Sequence, residues 1–355
     1  MARPIEVNKK VEAIDLFCGI GGLTYGMQKA GIVILAGLDF DKSCKYAYEE
    51  NNDTEFIDAD ISTYPSEKLI IKYSKKAIKV LVGCAPCQTF SKHTQKNKDR
   101  SLDKKWNLLY SFSDKITEIK PDIISMENVP GLTKYSVFTD FISHLVGLGY
   151  HVSHKIVKCE EYGVPQFRRR LVLLASRLGE INLIPETHKA KIKQKTVRDV
   201  IGQLPPLDAG TTDPKDRIHR SAFLSNLNLK RIKQSMPDGT WRDWDTSLLP
   251  DCYTKASGQS YSSVYGRLNW NRPSVTMTTQ FFSYGTGRFG HPSQNRALSL
   301  REGAILQTFP RNYKFVNPKE EFSFKIIGRH IGNAVPVRLG EIIGRSILKH
   351  IKDVS

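Results

Sequence analysis

Short apolar segments alternate with amphipathic ones over the first half of the chain. Runs rich in β-branched residues occupy 11–17, 32–38 and 78–82, and each is followed closely by a glycine or an aspartate, which is typical of buried strands. The segments 23–30 and 108–119 repeat apolar residues at helical spacing instead, which predicts helices between the strands. Such alternation predicts an α/β fold with a doubly wound, mostly parallel sheet.

The same pattern continues to about residue 176 and returns at the end of the chain. Residues 176–265 are polar and contain several prolines, so we expect a loop-rich region there. Further strands are predicted at 56–61, 121–126, 151–157 and 171–175, and further helices at 138–148 and 337–351.

The charge balance indicates a class of partner that the α/β pattern does not. The 355 residues include 53 Lys and Arg against 36 Asp and Glu, which gives a net charge of +17. A folded protein this basic favours nucleic acid as a partner, and a basic surface with no polyanionic partner is the alternative. Residues 92–105, which Trp106 follows, are especially basic, and they suit a clamp on nucleic acid or a basic loop without structure.

Targeting signals and cysteine usage indicate the compartment. No apolar run is long enough to cross a membrane, and residues 1–10 contain no apolar signal-peptide core. The six cysteines are scattered and form no disulfide framework. We therefore expect a cytoplasmic protein that does not contact a membrane.

A glycine-rich turn follows the first predicted strand. Residues 18–22 run Cys-Gly-Ile-Gly-Gly and lead into the first helix, and the second strand ends at Asp39. Glycines let the backbone approach a ligand at a helix N-terminus, and an acid about 20 residues further on suits the hydroxyls of a ribose. The spacing differs from the Gly-x-Gly-x-x-Gly fingerprint, so the pattern predicts a nucleotide-like cofactor without specifying a dinucleotide.

Cys87 is the candidate nucleophile. It lies in the segment 83–91, Gly-Cys-Ala-Pro-Cys-Gln-Thr-Phe-Ser, directly after a predicted buried strand, where α/β folds place active-site loops. A small buried cysteine is the alternative. Cys84 and Cys87 also form a Cys-x-x-Cys, which suits a redox pair. Zinc is disfavoured because the sequence has no second pair of ligands at suitable spacing, and we expect no metal.

Interleaved basic and aromatic residues mark three segments of the loop-rich region. They lie at 229–233, 240–244 and 255–261, and they suit contacts to phosphates and base edges. Structural tryptophans on a solvated surface are the alternative for each segment.

Six short motifs follow one another along nearly the whole chain. In order, they are Asp-Leu-Phe-Cys-Gly-Ile-Gly-Gly at 15–22, Pro-Cys-Gln-Thr-Phe-Ser at 86–91, Glu-Asn-Val at 127–129, Gln-Phe-Arg-Arg-Arg at 166–170, Arg-Pro-Ser-Val-Thr at 272–276 and Gly-Asn-Ala-Val-Pro at 332–336. Together they make the chain resemble the DNA (cytosine-5) methyltransferases of bacterial and phage type. One departure is Gly-Cys-Ala-Pro at 83–86 in place of the commoner Gly-Pro-Pro pattern, which makes Cys84 an extra thiol, expected to be a packed bystander.

The resemblance implies a reaction and its participants. We expect methylation of carbon 5 of cytosine in a specific double-stranded DNA site, with S-adenosylmethionine as the donor. The thiolate of Cys87 is expected to add to carbon 6 of a flipped cytosine and so activate carbon 5. Glu127 is expected to hydrogen-bond ring nitrogen 3 and the exocyclic amine. Arg168 and Arg170 are expected to hold the carbonyl oxygen, with Arg170 as the more direct contact.

The resemblance also assigns residues to the two binding sites. Asp39 is expected to take the ribose hydroxyls, with Phe40 beside the adenine. The full set expected around S-adenosylmethionine is Phe17, Gly19, Ile20, Gly21, Gly22, Asp39, Phe40, Asp60, Ile61, Pro86, Asn333 and Val335. The set expected to contact DNA is Gln88, Ser91, Lys92, Arg100, Gln166, Arg242, Lys255 and Tyr261.

The expected role of Asn333 in the donor site implies that the terminal helix returns to the first domain. We therefore expect a discontinuous catalytic domain over 1–185 and 328–355 and a small target-recognition domain over 186–327. We also expect a monomer from a bacterium or phage, with a cognate restriction endonuclease as a candidate partner. Three rival functions remain: a tRNA cytosine methyltransferase on the same scaffold, a non-catalytic DNA-binding protein, and a dithiol redox protein using Cys84 and Cys87.

Overall fold

The computed structural model describes residues 10–85, 107–253, 255, 258 and 262–355. The chain divides into two compact units. The first comprises Met1–Tyr162, Arg169–Thr187 and Val335–Ser355, and the second comprises Gly163–Arg168 and His188–Ala334. Compared with the expected domains, the second unit additionally takes in the segments 163–168 and 328–334.

The first unit is built on a mostly parallel sheet. Its strand order is β3-β2-β1-β4-β5-β8-β6. The first five strands in this order run parallel to one another, and β8 runs antiparallel to both β5 and β6. Within the described residues, the strands are β1 (Val11–Leu16), β2 (Val33–Asp39), β3 (Glu55–Asp58), β4 (Ile78–Gly83), β5 (Ile123–Asn128), β6 (His151–Lys158) and β8 (Arg169–Ser176).

Helices cover this sheet and supply its core. Strands β1, β4 and β5 are buried along nearly their whole length, as expected for parallel strands with both faces covered. Phe112 and Phe141, from α4 and α5, stack with ring centroids 5.8 Å apart within this core. The helices are α1 (Gly22–Ala30), α2 (Lys45–Asn52), α3 (Ser66–Ile70), α4 (Asn107–Ile119), α5 (Ser136–Gly147) and α10 (Val337–Val354).

Helices α1 and α10 pack closely, backbone against backbone. A Cβ atom on Gly26 of α1 would lie 2.2 Å from the carbonyl oxygen of Val337 in α10. Only glycine permits such an approach, because any side chain there would collide with backbone. This contact joins the C-terminal helix to the helix that follows the glycine-rich turn. No helix among the described residues is both long and apolar enough to cross a membrane.

The second unit consists mainly of irregular chain. Helix α7 covers the basic segment at 229–233 and is capped by Ser225, whose side chain accepts from Asn228 N; this helix was not predicted within the loop-rich region 176–265. Within the described residues, the elements are β7 (Gln166–Phe167), β9 (Thr212–Asp213), β10 (Asp216–Arg220), β11 (Ser274–Val275), α6 (Val197–Ile201), α7 (Asn226–Gln234), α8 (Leu300–Leu306) and α9 (Phe324–Asn333).

Two tryptophans form a core in the second unit. Trp241 and Trp244 are buried, and Trp241 stacks on Tyr253 with ring centroids 4.5 Å apart. The Oγ of Ser235 accepts from the Trp244 indole at 3.0 Å. The tryptophans of the segment 240–244 are therefore structural, as the alternative interpretation of that segment held.

Arg267 supports the same unit from within. Its buried guanidinium donates to the carbonyl oxygens of Ser235, Ile232, His291 and Gln294 at 2.5–2.8 Å. Ile232 lies in α7 and Ser235 directly follows it, whereas His291 and Gln294 lie in a later irregular stretch, so a single side chain joins the end of α7 to that stretch.

Candidate active site

The carboxyl ends of three neighbouring parallel strands meet at one edge of the sheet. In the register, Leu16 of β1 is opposite Gly83 of β4, and Gly83 is opposite Met126 of β5. The residues that come next along each strand therefore lie at the same edge, which is where open α/β sheets bind their ligands. They include Cys84 and Glu127.

The glycine-rich turn beyond β1 has an unusual backbone. Phe17 has a φ of 63°, and Gly19 and Gly21 have φ values of 51° and 83°. A positive φ at a non-glycine residue costs about 1–3 kcal/mol, and such residues cluster at functional sites. The amides of Phe17 and Cys18 both donate to Leu38 O, at 2.8 and 3.1 Å. No atom of the described part of the chain, apart from the residues next to Gly19, lies within 4 Å of the position that a Cβ on Gly19 would take, so these residues leave room for a ligand at the turn.

Asp39 fixes this turn. Its Oδ2 accepts from Gly19 N and its Oδ1 accepts from Asp41 N, both at 2.9 Å. Each carboxylate oxygen can accept more than one hydrogen bond. The next side chain, Phe40, is 65% exposed, and an exposed aromatic ring beside a carboxylate is a typical platform for a flat base.

Asp60 and Ile61 follow β3 at the same edge. Oδ1 of Asp60 accepts from Ser62 N at 2.8 Å and from its hydroxyl at 2.7 Å. Ile61 is 2% exposed and packs in the main core. The side chain of Ile61 is therefore committed to the interior, and its backbone is the part that remains for a ligand.

Glu127 is the buried carboxyl of the site. Its side chain is 3% exposed and lies between two other side chains. Arg170 Nε is 2.8 Å from Oε1, and Cys84 Sγ donates to Oε2 at 2.9 Å. The Arg170 contact is an ion pair that is not aligned as a hydrogen bond, so among the described residues Oε1 is buried without an aligned donor. An acceptor in this state suits an N–H group of a ligand.

Arg170 reaches Glu127 because β8 lies next to β5. Glu127 is opposite Val172 in the antiparallel register, so Arg170, two residues before Val172, is on the same face of the sheet as this pair. The neighbouring residue Asn128 donates from Nδ2 to Ala85 O at 3.2 Å, which anchors the beginning of the cysteine loop to the strand of the carboxyl.

Arg168 and Gln166 have internal partners in the second unit. Gln166 is fully buried, donates to Gln307 Oε1 at 3.1 Å and accepts from Met277 N at 2.8 Å. Arg168 is 2% exposed and donates to Met277 O at 3.1 Å. These contacts join β7 to Met277 and Gln307, and the expected DNA contact of Gln166 and base contact of Arg168 stay predictions. Sequence reasoning missed these internal contacts because glutamine and arginine are usually exposed.

Other predicted site residues are placed as follows. Arg242 lies over the Trp241 ring with 4.7 Å between its guanidinium carbon and the ring centroid, and Lys255 is exposed. Asn333 is exposed at the end of α9 in the second unit, and Val335 is buried in the first. The predicted residues that lie outside the described part of the chain are Pro86, Cys87, Gln88, Ser91, Lys92, Arg100 and Tyr261.

Sequence reasoning did not find two polar contacts near this edge. Asp15, the last acid of β1, is fully buried and accepts from Thr24 Oγ1 at 2.7 Å. Burial raises its pKa to about 7. Cys84, expected to be a bystander, contacts the carboxyl of Glu127. The strand register was the signal available for Cys84, since parallel neighbours place residues 84 and 127 side by side.

Known relatives share the sequence over almost its full length. The chain is 51% identical over 342 residues to the Type II methylase M.HgiDII of Herpetosiphon aurantiacus, covering 96% of this chain and 95% of that one. It is 28% identical to the Type II methyltransferase M1.HphI of Haemophilus parahaemolyticus, covering 95% of this chain and 86% of that one.

Solved structures share the fold. A DNA modification methyltransferase of an Escherichia coli prophage superposes with a TM-score of 0.72 at 20% identity, covering 96% of this chain and 99% of that one. The S. pombe Dnmt2 methyltransferase superposes with a TM-score of 0.60 at 17% identity, covering 98% and 100%. These likenesses confirm the predicted fold class.

The sequence matches the model of one protein family over most of its length. The model for C-5 cytosine-specific DNA methylases matches residues 11–349, which confirms the resemblance that the six motifs indicated. The chain therefore belongs to the C-5 cytosine-specific DNA methylase family and is a methyltransferase.

Proposed function

We propose that the chain transfers a methyl group from S-adenosylmethionine to carbon 5 of a cytosine that is flipped out of a specific double-stranded DNA site. The observation that carries this proposal is the buried carboxyl of Glu127 at the carboxyl end of β5, with Oε1 close to Arg170 and without an aligned hydrogen-bond donor among the described residues. The target base has to leave the duplex because carbon 5 and carbon 6 cannot be reached inside the stack.

Glu127 recognises the Watson–Crick edge of the flipped cytosine. In its protonated form it donates to ring nitrogen 3, and its other oxygen accepts from the exocyclic amine, whereas thymine, with an N–H at ring position 3 and a carbonyl oxygen in place of the amine, cannot make this pair of hydrogen bonds. Arg170 lies against this carboxyl and supplies a fixed positive charge beside the ring, where negative charge develops during the reaction. Arg168 donates to Met277 O within the second unit, and its expected contact with the carbonyl oxygen of the base stays a prediction.

Cys87 supplies the nucleophile. Carbon 5 of cytosine is a poor nucleophile, and addition of the Cys87 thiolate to carbon 6 makes the ring enamine-like at carbon 5. After methyl transfer, loss of the carbon 5 proton re-forms the double bond and expels the thiolate. In the sequence, Cys87 comes two residues after Ala85. Asn128 donates a hydrogen bond to the carbonyl oxygen of Ala85, and this contact supports the proposal that Cys87 acts beside Glu127.

The open turn at β1 and β2 fits the donor. S-adenosylmethionine supplies an electrophilic methyl group on a sulfonium. The residues that fit its adenosine are the exposed ring of Phe40, the carboxylate of Asp39 and the unobstructed backbone at Gly19. No phosphate needs to be cradled, which suits the departure from the dinucleotide spacing. Asp60, Pro86, Asn333 and Val335 are proposed to complete this site.

The biological setting follows from the relatives. Two of them are named Type II enzymes, so we infer a role in a restriction–modification system with a cognate endonuclease. We also propose that the protein acts as a monomer in the cytoplasm, bound to DNA through its positive charge, with Arg242 and Lys255 among the contacts in the second unit.

A labelled-donor assay tests the proposal. Methyl incorporation into duplex DNA and into tRNA is measured for the natural chain, Cys87→Ser and Glu127→Gln. We expect label in DNA, no turnover for Cys87→Ser, and a loss of about 10²–10⁴-fold in kcat for Glu127→Gln, typical of removing an acid–base group. The exposed Glu67→Gln variant, far from the strand edge, is the matched control and retains full activity.

Two results contradict the proposal. Label in tRNA alone assigns the chain to a different substrate, and undiminished activity of Glu127→Gln removes the proposed role of this carboxyl. Bisulfite sequencing of DNA from a host expressing the chain then identifies the modified site and its sequence context.

A further inference from the structure

We infer that Cys84 is a positioning residue for the reaction: its thiol donates to Oε2 of Glu127 and fixes the orientation of that carboxyl. This inference rests on the proposed function, because it assigns Cys84 a role through Glu127. The sequence alone indicated a packed bystander or half of a redox pair, and the contact of 2.9 Å between Sγ and Oε2 supports neither role.

The backbone holds Cys84 firmly in place. Its amide donates to Leu16 O at 3.3 Å. A Cβ on the preceding residue, Gly83, would lie 3.3 Å from both Leu16 O and the Phe112 ring, so the chain packs closely against β1 and α4 just before the thiol. On the other side, Asn128 donates to Ala85 O. The thiol is therefore presented to Glu127 by a segment fixed before and after it.

The two oxygens of Glu127 are held from different strands. Arg170 in β8 lies against Oε1, and Cys84 beyond β4 donates to Oε2. The terminal torsion of a glutamate is broad and is not fixed by rotamer preference. One contact would leave the carboxyl plane free to turn about that contact, whereas two contacts from opposite sides define the plane.

The orientation of this plane matters for recognition of the base. The carboxyl has to lie in the plane of the cytosine ring to meet nitrogen 3 and the exocyclic amine together. Small displacements of a catalytic group reduce rates by up to about a hundredfold. A thiol is a weak donor, so we expect the contribution of Cys84 to be about tenfold in kcat.

The experiment compares variants with and without a donor at position 84. Cys84→Ala is expected to lower kcat about tenfold, with KM for DNA and for the donor changed less than about twofold. Cys84→Ser retains a hydroxyl donor and is expected to keep most of the kcat. Cys159→Ala, the same change at a buried thiol away from Glu127, is the matched control. If Cys84→Ala does not fold, Cys84→Thr and Cys84→Val are compared instead. Threonine and valine have the same shape, but only threonine carries a hydroxyl donor.

A double-mutant cycle separates a role through Glu127 from a general packing role. In the Glu127→Gln background, measured under single-turnover conditions with excess enzyme, Cys84→Ala is expected to add less than about a twofold loss, because the interaction is already changed. A further tenfold loss in that background overturns the inference, as does wild-type kcat for Cys84→Ala or equal loss for Cys84→Ser. Full activity of Glu127→Gln alone overturns the proposed function instead, so the two failures are distinguishable.

Discussion

At the scale of single residues, the second unit holds a buried cluster of charge. Arg296 donates from two nitrogens to the two oxygens of Glu302, both at 2.7 Å, and neither side chain is exposed. Burial alone would raise the pKa of Glu302, but the hydrogen bonds and charge of Arg296 lower it to about 2. His291 lies 3.7 Å from the same carboxylate, and burial lowers its pKa to about 4.

His291 makes stability depend on pH. The pKa of His291 is about 4 in the folded protein and 6.5 for an ordinary histidine, as in the unfolded chain. Between pH 4 and pH 6.5, His291 therefore binds a proton in the unfolded chain but not in the folded protein. The free energy of unfolding therefore falls as pH drops from about 6.5 to 4, by up to about 3 kcal/mol for this group. We expect His291→Gln to flatten the pH dependence of the urea midpoint over that range.

The control is His151→Gln, an exposed histidine at the start of β6, which leaves the slope unchanged. An identical slope in the natural chain and in His291→Gln contradicts the assignment. Glu302 also makes the free energy of unfolding fall as pH drops, but at lower pH. Because its pKa is lowered, its contribution to stability is complete above about pH 4.5 and is lost as pH falls toward 2.

At the scale of elements, the contact between α1 and α10 depends on glycine. We expect Gly26→Ala to destabilise the protein by about 1–3 kcal/mol, because the new methyl group would overlap the backbone of α10 and push the helices apart. Thermal unfolding measures the loss. Gly147→Ala in α5, where nothing lies within 4 Å of the new Cβ, is the matched control and is expected to be neutral or stabilising by about 0.5–1 kcal/mol. Equal melting temperatures for the two variants would contradict this account.

The elements also show what the sequence can predict. The predicted strands and helices of the first unit agree with the observed ones to within a few residues, because continuous apolar runs and helical periodicity come directly from the burial of parallel strands. The short helices α2 and α3 were not predicted. Helix α7 was not predicted, since its apolar residues are few among basic ones. The two-residue strands β7, β9 and β11 carry no periodicity at all.

The same limit applies to the candidate site. The placement of Glu127 at the strand edge follows from its position after an apolar run. Its contact with Arg170 depends on β8 being inserted next to β5, and its contact with Cys84 depends on register. The burial of Gln166 and Arg168 depends on backbone carbonyls contributed by residues more than a hundred positions away, which no local pattern reveals.

At the scale of the whole molecule, the net charge of +17 makes DNA affinity sensitive to salt. Each phosphate neutralised releases counterions, so the logarithm of the binding constant falls linearly with the logarithm of salt concentration. We expect Arg242→Gln to reduce the magnitude of that slope by about 1 and to weaken binding for all DNA sequences alike.

Fluorescence anisotropy at several salt concentrations measures this slope. Lys349→Gln removes an equal charge from α10, where Lys349 pairs with Asp353, and it is expected to leave the slope unchanged. If Arg242→Gln leaves the slope unchanged as well, Arg242 does not contact a phosphate.

The packing of α10 on α1 has a consequence for how the protein is made. Helix α1 leaves the ribosome early, but α10 is translated only after the whole of His188–Ala334. Until α10 has been synthesised, the face of α1 that contains Gly26 has no packing partner. The glycine-rich turn that precedes α1 is then not supported by α10 either. Domains generally fold during synthesis in order from the N-terminus, yet here the N-terminal part of the chain reaches its final packing last. The methyltransferase unit thus becomes complete only after the unit proposed to select DNA has been synthesised.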